Sequence, residues 1–585
     1  MLLNCVRLYF STLTFIYIIT IFFAMDKKIA FSMLLGSAVM LTGCGKKMNQ
    51  FAADYFSTNP NPLEVVGQNV PATVTGNIPP KFFVKNATVT VTPYLTFDNT
   101  ELAGSSMTFQ GEKVRGNNRV ISYDNGGTVT IPVNYVYQPE MQKSELYLGF
   151  TVDQKGKQYV LPRVKVADGV IATAALADAG SVNPALAADK FQRIINEKYK
   201  ADILFLINVA NLRESQLNSD QMKDWNKQVA EANADNRREI KELNIESYAS
   251  PDGPYDFNAQ LAQKRETNTK GYLEKQLKKD NITEFGELTA NFTPEDWEGF
   301  QKLVSESNIQ DKDLILSVLK MYKDPEVRDR EIRNMTSVFD ELAETILPRL
   351  RYSRLTASID VIGKSDAEIN QVFDANPSSL TIDEILYAGT LTDDLNRQKA
   401  IYAAAAQYFP NDYRGFNNLG MVLYQQGDYN GALNNFKKAA ALNPAAGEAQ
   451  MNQGLVALLN NDFKAANQAF GKAGGVPELG SALGVYYLQQ GDVNAAVKAF
   501  ADDKSNNAAL AQILSKDYSK AKNTLSAIKT PDATTYYLMA ILGARTNNEQ
   551  MVTSNLSKAI KLDNKLAKQA ANDLEFASFN LSSVL

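Results

Sequence analysis

Hydrophobic and polar positions follow three different periods along this 585-residue chain. Between residues 87 and 161 the period is two. Ala87-Thr88-Val89-Thr90-Val91-Thr92, Thr128-Val129-Thr130-Ile131 and Leu146-Tyr147-Leu148-Gly149-Phe150-Thr151-Val152 alternate apolar with polar or small residues, the signature of strands that bury one face. Asp153-Gln154-Lys155-Gly156 reads as a hairpin loop leading into Tyr159-Val160-Leu161. Short strands at this spacing predict a small antiparallel sandwich over 59–172, Ig-like in general type. Its alternating Tyr and Phe read as core rather than as a ligand cage.

Residues 171–188 are rich in Ala, Asp and Gly and read as a link between domains. After Lys190 the period changes. Asp202–Val209 reads as a buried strand, Asp220–Asn236 as an amphipathic helix and Ile240–Ser247 as a strand. Phe257–Lys279 follows as a second helix, with Leu261, Tyr272, Leu273 and Leu277 on its apolar side. That succession predicts an α+β unit with its helices on one face of a sheet. Helical segments then fill 294–346, where Thr293-Pro294-Glu295-Asp296-Trp297 reads as a helix start. Thr293 would be the cap, Pro294 the first position, and the acids would fall in the first turn.

Beyond residue 375 a period of 34 appears: Gly420, Ala432, Phe436 and Ala439 recur as Gly454, Ala466, Phe470 and Ala473. Together with Phe416, Leu419, Tyr429 and Pro444, this pattern resembles the tetratricopeptide repeat. Shorter or weaker units follow around Gly484–Phe500, Tyr518–Ile528 and Tyr537–Leu562. The repeated residues are packing residues. Gly and Ala lie where paired helices cross, aromatic rings fill the gap, and Pro ends the second helix. A protein partner would bind the groove of first helices, through residues expected to be exposed such as Asn417, Asn418, Gln453 and Tyr487.

The amino-terminal region carries two apolar stretches, Leu8–Ala24 and Ile29–Leu41, separated by Met25-Asp26-Lys27-Lys28. The second has every part of a bacterial signal peptide, so translation is expected to begin at Met25. Leu8–Ala24 is shorter than the roughly 20 apolar residues of a spanning helix. Leu41-Thr42-Gly43-Cys44 resembles the lipobox of bacterial lipoproteins, which implies acylation of Cys44 and attachment to outer-membrane lipid. Gly45-Lys46-Lys47 lacks the acidic stretch that some Bacteroidetes use for surface export, and this points to the periplasmic side. Surface exposure is the alternative.

Composition removes whole classes of chemistry. The chain has no histidine, 60 Lys+Arg against 65 Asp+Glu, and two cysteines. Without imidazole there is no Ser-His or Cys-His nucleophile pair and no His-ligated metal. Two cysteines support neither a disulfide framework nor a Cys cluster, and the balanced charge does not suggest nucleic acid. No cofactor and no metal are expected. A hydrolase built on carboxylates needs no histidine, and Glu295, Asp296 and Glu298 are its candidates.

One further resemblance concerns 245–273. Ile245-Glu246-Ser247-Tyr248-Ala249-Ser250-Pro251-Asp252-Gly253-Pro254-Tyr255-Asp256-Phe257-Asn258, then Leu261-Ala262-Gln263-Lys264-Arg265 and Tyr272-Leu273, resembles the OmpA-like C-terminal domain. The run Leu350–Val361 is similar to the closing strand of that family. The resemblance implies an α/β sandwich whose ligand is the peptidoglycan stem. A carboxylate would take the ligand's ammonium and a guanidinium its carboxylate. Alignment on Asn258 and Leu261 places the arginine at Arg265 and puts Ser250 where the family has its Asp, with Asp252 two residues on as a substitute.

The expected organisation is multidomain: leader 1–43, tether 44–58, all-β sandwich 59–172, OmpA-like α/β domain 190–365 with an insertion over about 294–346, and all-α solenoid 376–585. The expected role is that of a non-enzymatic outer-membrane lipoprotein. It would be an adaptor between peptidoglycan and protein partners, or a lipid-anchored scaffold for a secretion or surface assembly, or a surface antigen, without cell-wall binding.

Overall fold

The computed structural model describes residues 47–309 and 311–585; Met25, the lipobox and Cys44 lie outside them. The chain forms two compact units. One is built from residues up to Asp178 together with Leu483–Leu585, the other from Ala179–Ala482.

The first unit carries the strands β1 (Phe56–Asn59), β2 (Leu63–Glu64), β3 (Asn69–Ile78), β4 (Ala87–Phe97), β5 (Thr100–Ala103), β6 (Met107–Gly111), β7 (Arg119–Ile121), β8 (Gly127–Val136), β9 (Ser144–Gln154), β10 (Lys157–Asp168) and β11 (Val170–Ile171). One sheet has the order β1-β3-β8, a second has β10-β9-β4-β6-β7 with β5 against β4, and β2 pairs with β11. The period-two pattern is expressed directly. Along β4 every second residue is buried, and Val89, Val91 and Leu95 join Val74, Ile131, Leu148 and Phe150 in one core shared by the two sheets. Each such side chain contributes about 1.5–3 kcal/mol when buried. Gln154 pairs with Lys157, leaving a two-residue turn in which Lys155 and Gly156 have φ of 56° and 79°, as a type I′ hairpin requires.

The second unit contains a four-stranded sheet of β12 (Ile194–Leu204), β13 (Arg238–Tyr248), β14 (Glu287–Thr293) and β15 (Tyr352–Ile362), in the order β12-β15-β13-β14. Only β13 and β14 run parallel. Helices α1 (Asp220–Ala234) and α2 (Tyr255–Lys279) pack on it through Met222, Trp225, Val229, Leu273 and Leu277, against Ile203, Leu243, Ile245, Leu355 and Ile359. Ser219 starts α1 by accepting from the Met222 N–H. The strand expected over 202–209 begins earlier and stops at Leu204. Leu206 and Val209 leave the sheet because their carbonyls accept hydrogen bonds from Arg265.

The insertion folds as α3 (Trp297–Glu306), α4 (Lys312–Met321), α5 (Pro325–Arg333) and α6 (Thr336–Thr345), with their own core of Phe300, Val304, Ile315, Leu319, Ile332 and Leu342. Thr293 does not cap the first of these helices. It ends β14, paired with Tyr248, and Asp296 is the cap, accepting from the Gly299 N–H at 2.7 Å.

Helices continue as α7 (Asp366–Ala375), α8 (Ile382–Thr390), α9 (Leu395–Tyr408), α10 (Tyr413–Gln425), α11 (Tyr429–Leu442), α12 (Gly447–Leu459), α13 (Phe463–Phe470), α14 (Leu479–Gln490), α15 (Val493–Phe500), α16 (Asn506–Leu514), α17 (Tyr518–Ser526), α18 (Ala533–Arg545) and α19 (Glu549–Leu562). The boundary between the two units falls inside α14, so the expected single block 376–585 is shared between them. Each second helix from α11 to α17 starts in the same way: Asp428, Asp462, Asp492 and Asp517 each accept the N–H three residues on. The residue before each of these aspartates has positive φ: Gly427, Asn461, Gly491 and Lys516. In the first unit the last repeat is closed by Arg545, which pairs with Glu575 at 2.7 Å, and Glu575 also accepts from Thr173.

Candidate functional site

Within the second unit, residues 183–192 form neither helix nor strand and lie against the first helices of the repeats. The contact is made by asparagines. Asn418, on α10, donates through Nδ2 to the Ala187 carbonyl at 2.9 Å, and its Oδ1 accepts from the Ala187 N–H at 2.8 Å. Asn452, on α12, repeats this with Ala185, at 2.8 Å to the carbonyl and 2.7 Å from the N–H. Asn417 donates to the same Ala185 carbonyl at 2.9 Å, and its Oδ1 accepts from Asn452. A primary amide offers one donor face and one acceptor face, as a peptide unit does, so each of these two asparagines takes the place of a neighbouring strand. Tyr424 donates to the Ala179 carbonyl at 2.7 Å.

The side chains of the held segment explain why it is rich in alanine. Ala185 and Ala187 have no exposed surface, so each sits where a larger side chain would meet helix. Leu186 and Phe191 pack against the core containing Leu380, Ile385, Ile401, Tyr402 and Met421, and Phe191 stacks on Tyr387 with centroids 4.5 Å apart. Lys190 donates its N–H to Asp383, which also receives Arg414 at 2.6 Å. Hydrogen bonds to the Asp412 carboxylate, and after them the one to Asp383, hold the Arg414 guanidinium above its ordinary pKa. A cleft of 720 Å³ opens beside the segment, between Asp189, Lys190, Tyr408, Arg414, Leu442 and Glu448.

Asn417 and Asn418, expected to be exposed and available to a partner, are therefore buried beneath the chain's own segment. Gln453 bonds the Ala449 carbonyl of its own helix, and Tyr487, in the first unit, lies edge-on to Tyr486. The residue that sequence reasoning missed is Asn452. Its signal was present, since it follows Asn418 by one repeat of 34, each two residues before the crossing glycine.

The α/β domain places its candidate residues apart. Arg265 is fully buried and donates to three carbonyls: Val209 at 3.1 Å, Tyr248 at 2.7 Å and Leu206 at 3.2 Å. Burial lowers its pKa to about 10, with the nearby Arg351 charge adding to the effect. Ser250 and Asp252 do meet, by a hydrogen bond between their side chains, but around Arg351. That guanidinium donates to the Ser250 hydroxyl at 3.0 Å and pairs with Asp252 at 3.0 Å. Arg265 thus differs from the expectation of a guanidinium turned to a ligand: the loop that leaves the sheet at Leu204 brings carbonyls to it instead.

Glu295, Asp296 and Glu298 also diverge. Glu298 is exposed. Glu295 accepts from the Trp297 indole at 2.9 Å, and Asp296 accepts from the Tyr352 hydroxyl at 2.9 Å. Burial holds the Glu295 carboxyl above the usual range and raises the Tyr352 phenol strongly. Among the described residues no group of three Asp, Glu or Cys is placed to hold a metal, and no helix is long and apolar enough to cross a membrane.

Comparison with known proteins bears on the helical region. The family model described as tetratricopeptide repeat matches residues 417–475. No curated protein matches the sequence. Among solved structures, a tetratricopeptide repeat protein from Parabacteroides merdae is similar at 15% identity, over 35% of this chain and 88% of that one, with a TM-score of 0.28. PilF of Pseudomonas aeruginosa is similar at 14% identity, over 37% and 99%, with a TM-score of 0.27. With the 34-residue period, the paired helices and the family match, the carboxy-terminal helices of this chain are tetratricopeptide repeats.

Proposed function

We propose that this chain is a lipid-anchored scaffold of the outer membrane that faces the periplasm and holds protein segments on its repeats, without chemistry of its own. The observation that carries this reading is the grip of Asn418 and Asn452 on polypeptide backbone, which is a way of binding protein and not of transforming it. Leu41-Thr42-Gly43-Cys44 supports the anchor, with Cys44 as the acylated residue. The two-sheet module, read as Ig-like, and the α/β domain, read as OmpA-like, serve as further surfaces. This scaffold does not take peptidoglycan, because the donors of Arg265 are engaged by carbonyls and Asp252 is engaged by Arg351.

The test is made in bacteria expressing the full chain. An alkyne fatty acid should label the protein and the protein should sediment with membranes, and Cys44→Ser should lose both properties. Cleavable crosslinking on those membranes should join a defined protein to residues 376–585, and its failure to do so would remove the scaffold. Purified peptidoglycan should leave the protein in the supernatant. Retention that Asp252→Asn abolishes would restore the cell-wall adaptor.

A further inference from the structure

We infer that the first-helix surface of α10 and α12 is a backbone-reading peptide site whose resident ligand is this chain's own segment Val182–Phe191. A partner then reaches the site only by displacing that segment with one of the same chemistry: an extended stretch with small side chains two residues apart, followed by an aromatic residue. The inference rests on the reading of the repeats as a protein-holding scaffold.

The register of the contacts supports it. Ala185 and Ala187 are two residues apart, the repeat of an extended chain. Asn452 and Asn418 are one structural repeat apart. Each repeat therefore reads one dipeptide step, and the segment runs opposite to the order of the repeats. The same device occurs independently in the first unit. Asn507 precedes Ala509 as Asn418 precedes Gly420, and it exchanges both bonds with Asp178, at 3.0 Å from the N–H and 2.8 Å to the carbonyl. In α14 the corresponding position is Ala482, which has no amide to offer.

The mode of contact is that of a ligand. The backbone groups of Ala185 and Ala187 are satisfied by side chains of the repeats through five neutral amide hydrogen bonds. The gain from each is modest and is opposed by the ordering of the segment. What favours the resident segment over a free peptide is its tethering, which raises its effective concentration at the site. Specificity comes from fit: Ala185 and Ala187 are enclosed, while Phe191 has an aromatic seat on Tyr387.

The experiment uses the full chain and a fluorescent synthetic peptide of residues 180–192. Wild type should show no saturable binding. The variant Ala185→Glu/Ala187→Glu, which drives out the resident segment, should bind the peptide at least tenfold more tightly, and adding Asn418→Ala/Asn452→Ala should abolish that binding. Equal binding by wild type and the double-Glu variant would overturn the inference. So would no binding by a double-Glu variant that keeps its helical circular dichroism. Hydrogen exchange on wild type is the second measurement: the Ala185 and Ala187 amides should be protected, and exchange at the rate of free amides would overturn it without any variant. Peptide binding as expected, with no crosslinked partner on membranes, would sink the scaffold reading alone. A crosslinked partner with no peptide binding would sink the resident ligand alone.

Discussion

The ring of Phe470 occupies the space that a methyl group on Gly454 would need: a Cβ built there lies 2.4 Å from the ring. Gly420 and Gly484 stand in the same relation to Phe436 and Phe500, at 2.7 and 2.5 Å. Gly454→Ala should therefore cost about 1–3 kcal/mol through overpacking and lower the thermal midpoint followed by circular dichroism. Gly471→Ala, where the nearest atom is 3.4 Å away, should leave the midpoint unchanged or slightly raised. Equal effects would mean that the crossings are looser than described.

Replacing Arg265 by Ala takes a donor from the Val209, Tyr248 and Leu206 carbonyls, of which Leu206 keeps the Val209 N–H, and at about 1–3 kcal/mol for each buried group left unsatisfied the expected loss is about 2–5 kcal/mol. The two tryptophans of the chain, Trp225 and Trp297, both belong to the α/β domain and its insertion, so their emission during urea unfolding reports on this region alone. Arg265→Lys should not rescue, because an ammonium lacks the planar fork that reaches Val209, Tyr248 and Leu206 together. A midpoint unchanged in Arg265→Ala would contradict the structural role described for this residue.

Glu295 gives a pH dependence. Burial raises its folded pKa above that of an ordinary glutamate, so the native state holds this proton more firmly than the unfolded chain. Stability from this group is greatest at low pH, declines as pH rises through the unfolded value, and stays reduced once the folded pKa is passed. Glu295→Gln removes that decline. The variant should gain on wild type more at pH 7.5 than at pH 4, read from the tryptophan transition. A difference that is flat across this range would mean the carboxyl is not penalised by burial.

Lys516 occupies with φ of 66° the turn position that Gly427 and Gly491 occupy elsewhere at 81°. Left-handed backbone costs a residue with a Cβ about 1 kcal/mol. Lys516→Gly should raise stability by up to that amount, and Asp517→Ala, which removes the adjoining helix cap, should lower it by about 1 kcal/mol. Thermal melts of the two variants check both signs.

Much of this architecture was legible because simple periods were obeyed. The alternation of Ala87–Phe97 is the alternation of burial in β4, and the glycines and phenylalanines spaced by 34 are the helix crossings. What could not be read is where a local pattern serves a distant contact. Ile207 and Val209 look like strand residues, but the carbonyls of Leu206 and Val209 answer a guanidinium some 56–59 positions away. Residues 182–188 look like a flexible link because they are small. Ala185 and Ala187 are small because helices close over them. Arg351 shares a turn with the closing strand, and nothing local says that it holds Ser250 and Asp252.

The grip of Asn452 on Ala185 joins residues 267 positions apart, and this bears on how the protein is made. Chains emerge amino terminus first, at about 5–20 residues per second, so Ala185 leaves the ribosome at least ten seconds before its seat exists. During that interval the segment is a bare stretch of small and apolar residues. A chain that stops before α10, through a nonsense codon or proteolysis, would carry it permanently unseated. Quality-control proteases and chaperones would then meet, in every incomplete copy, a sequence that the finished molecule keeps out of sight.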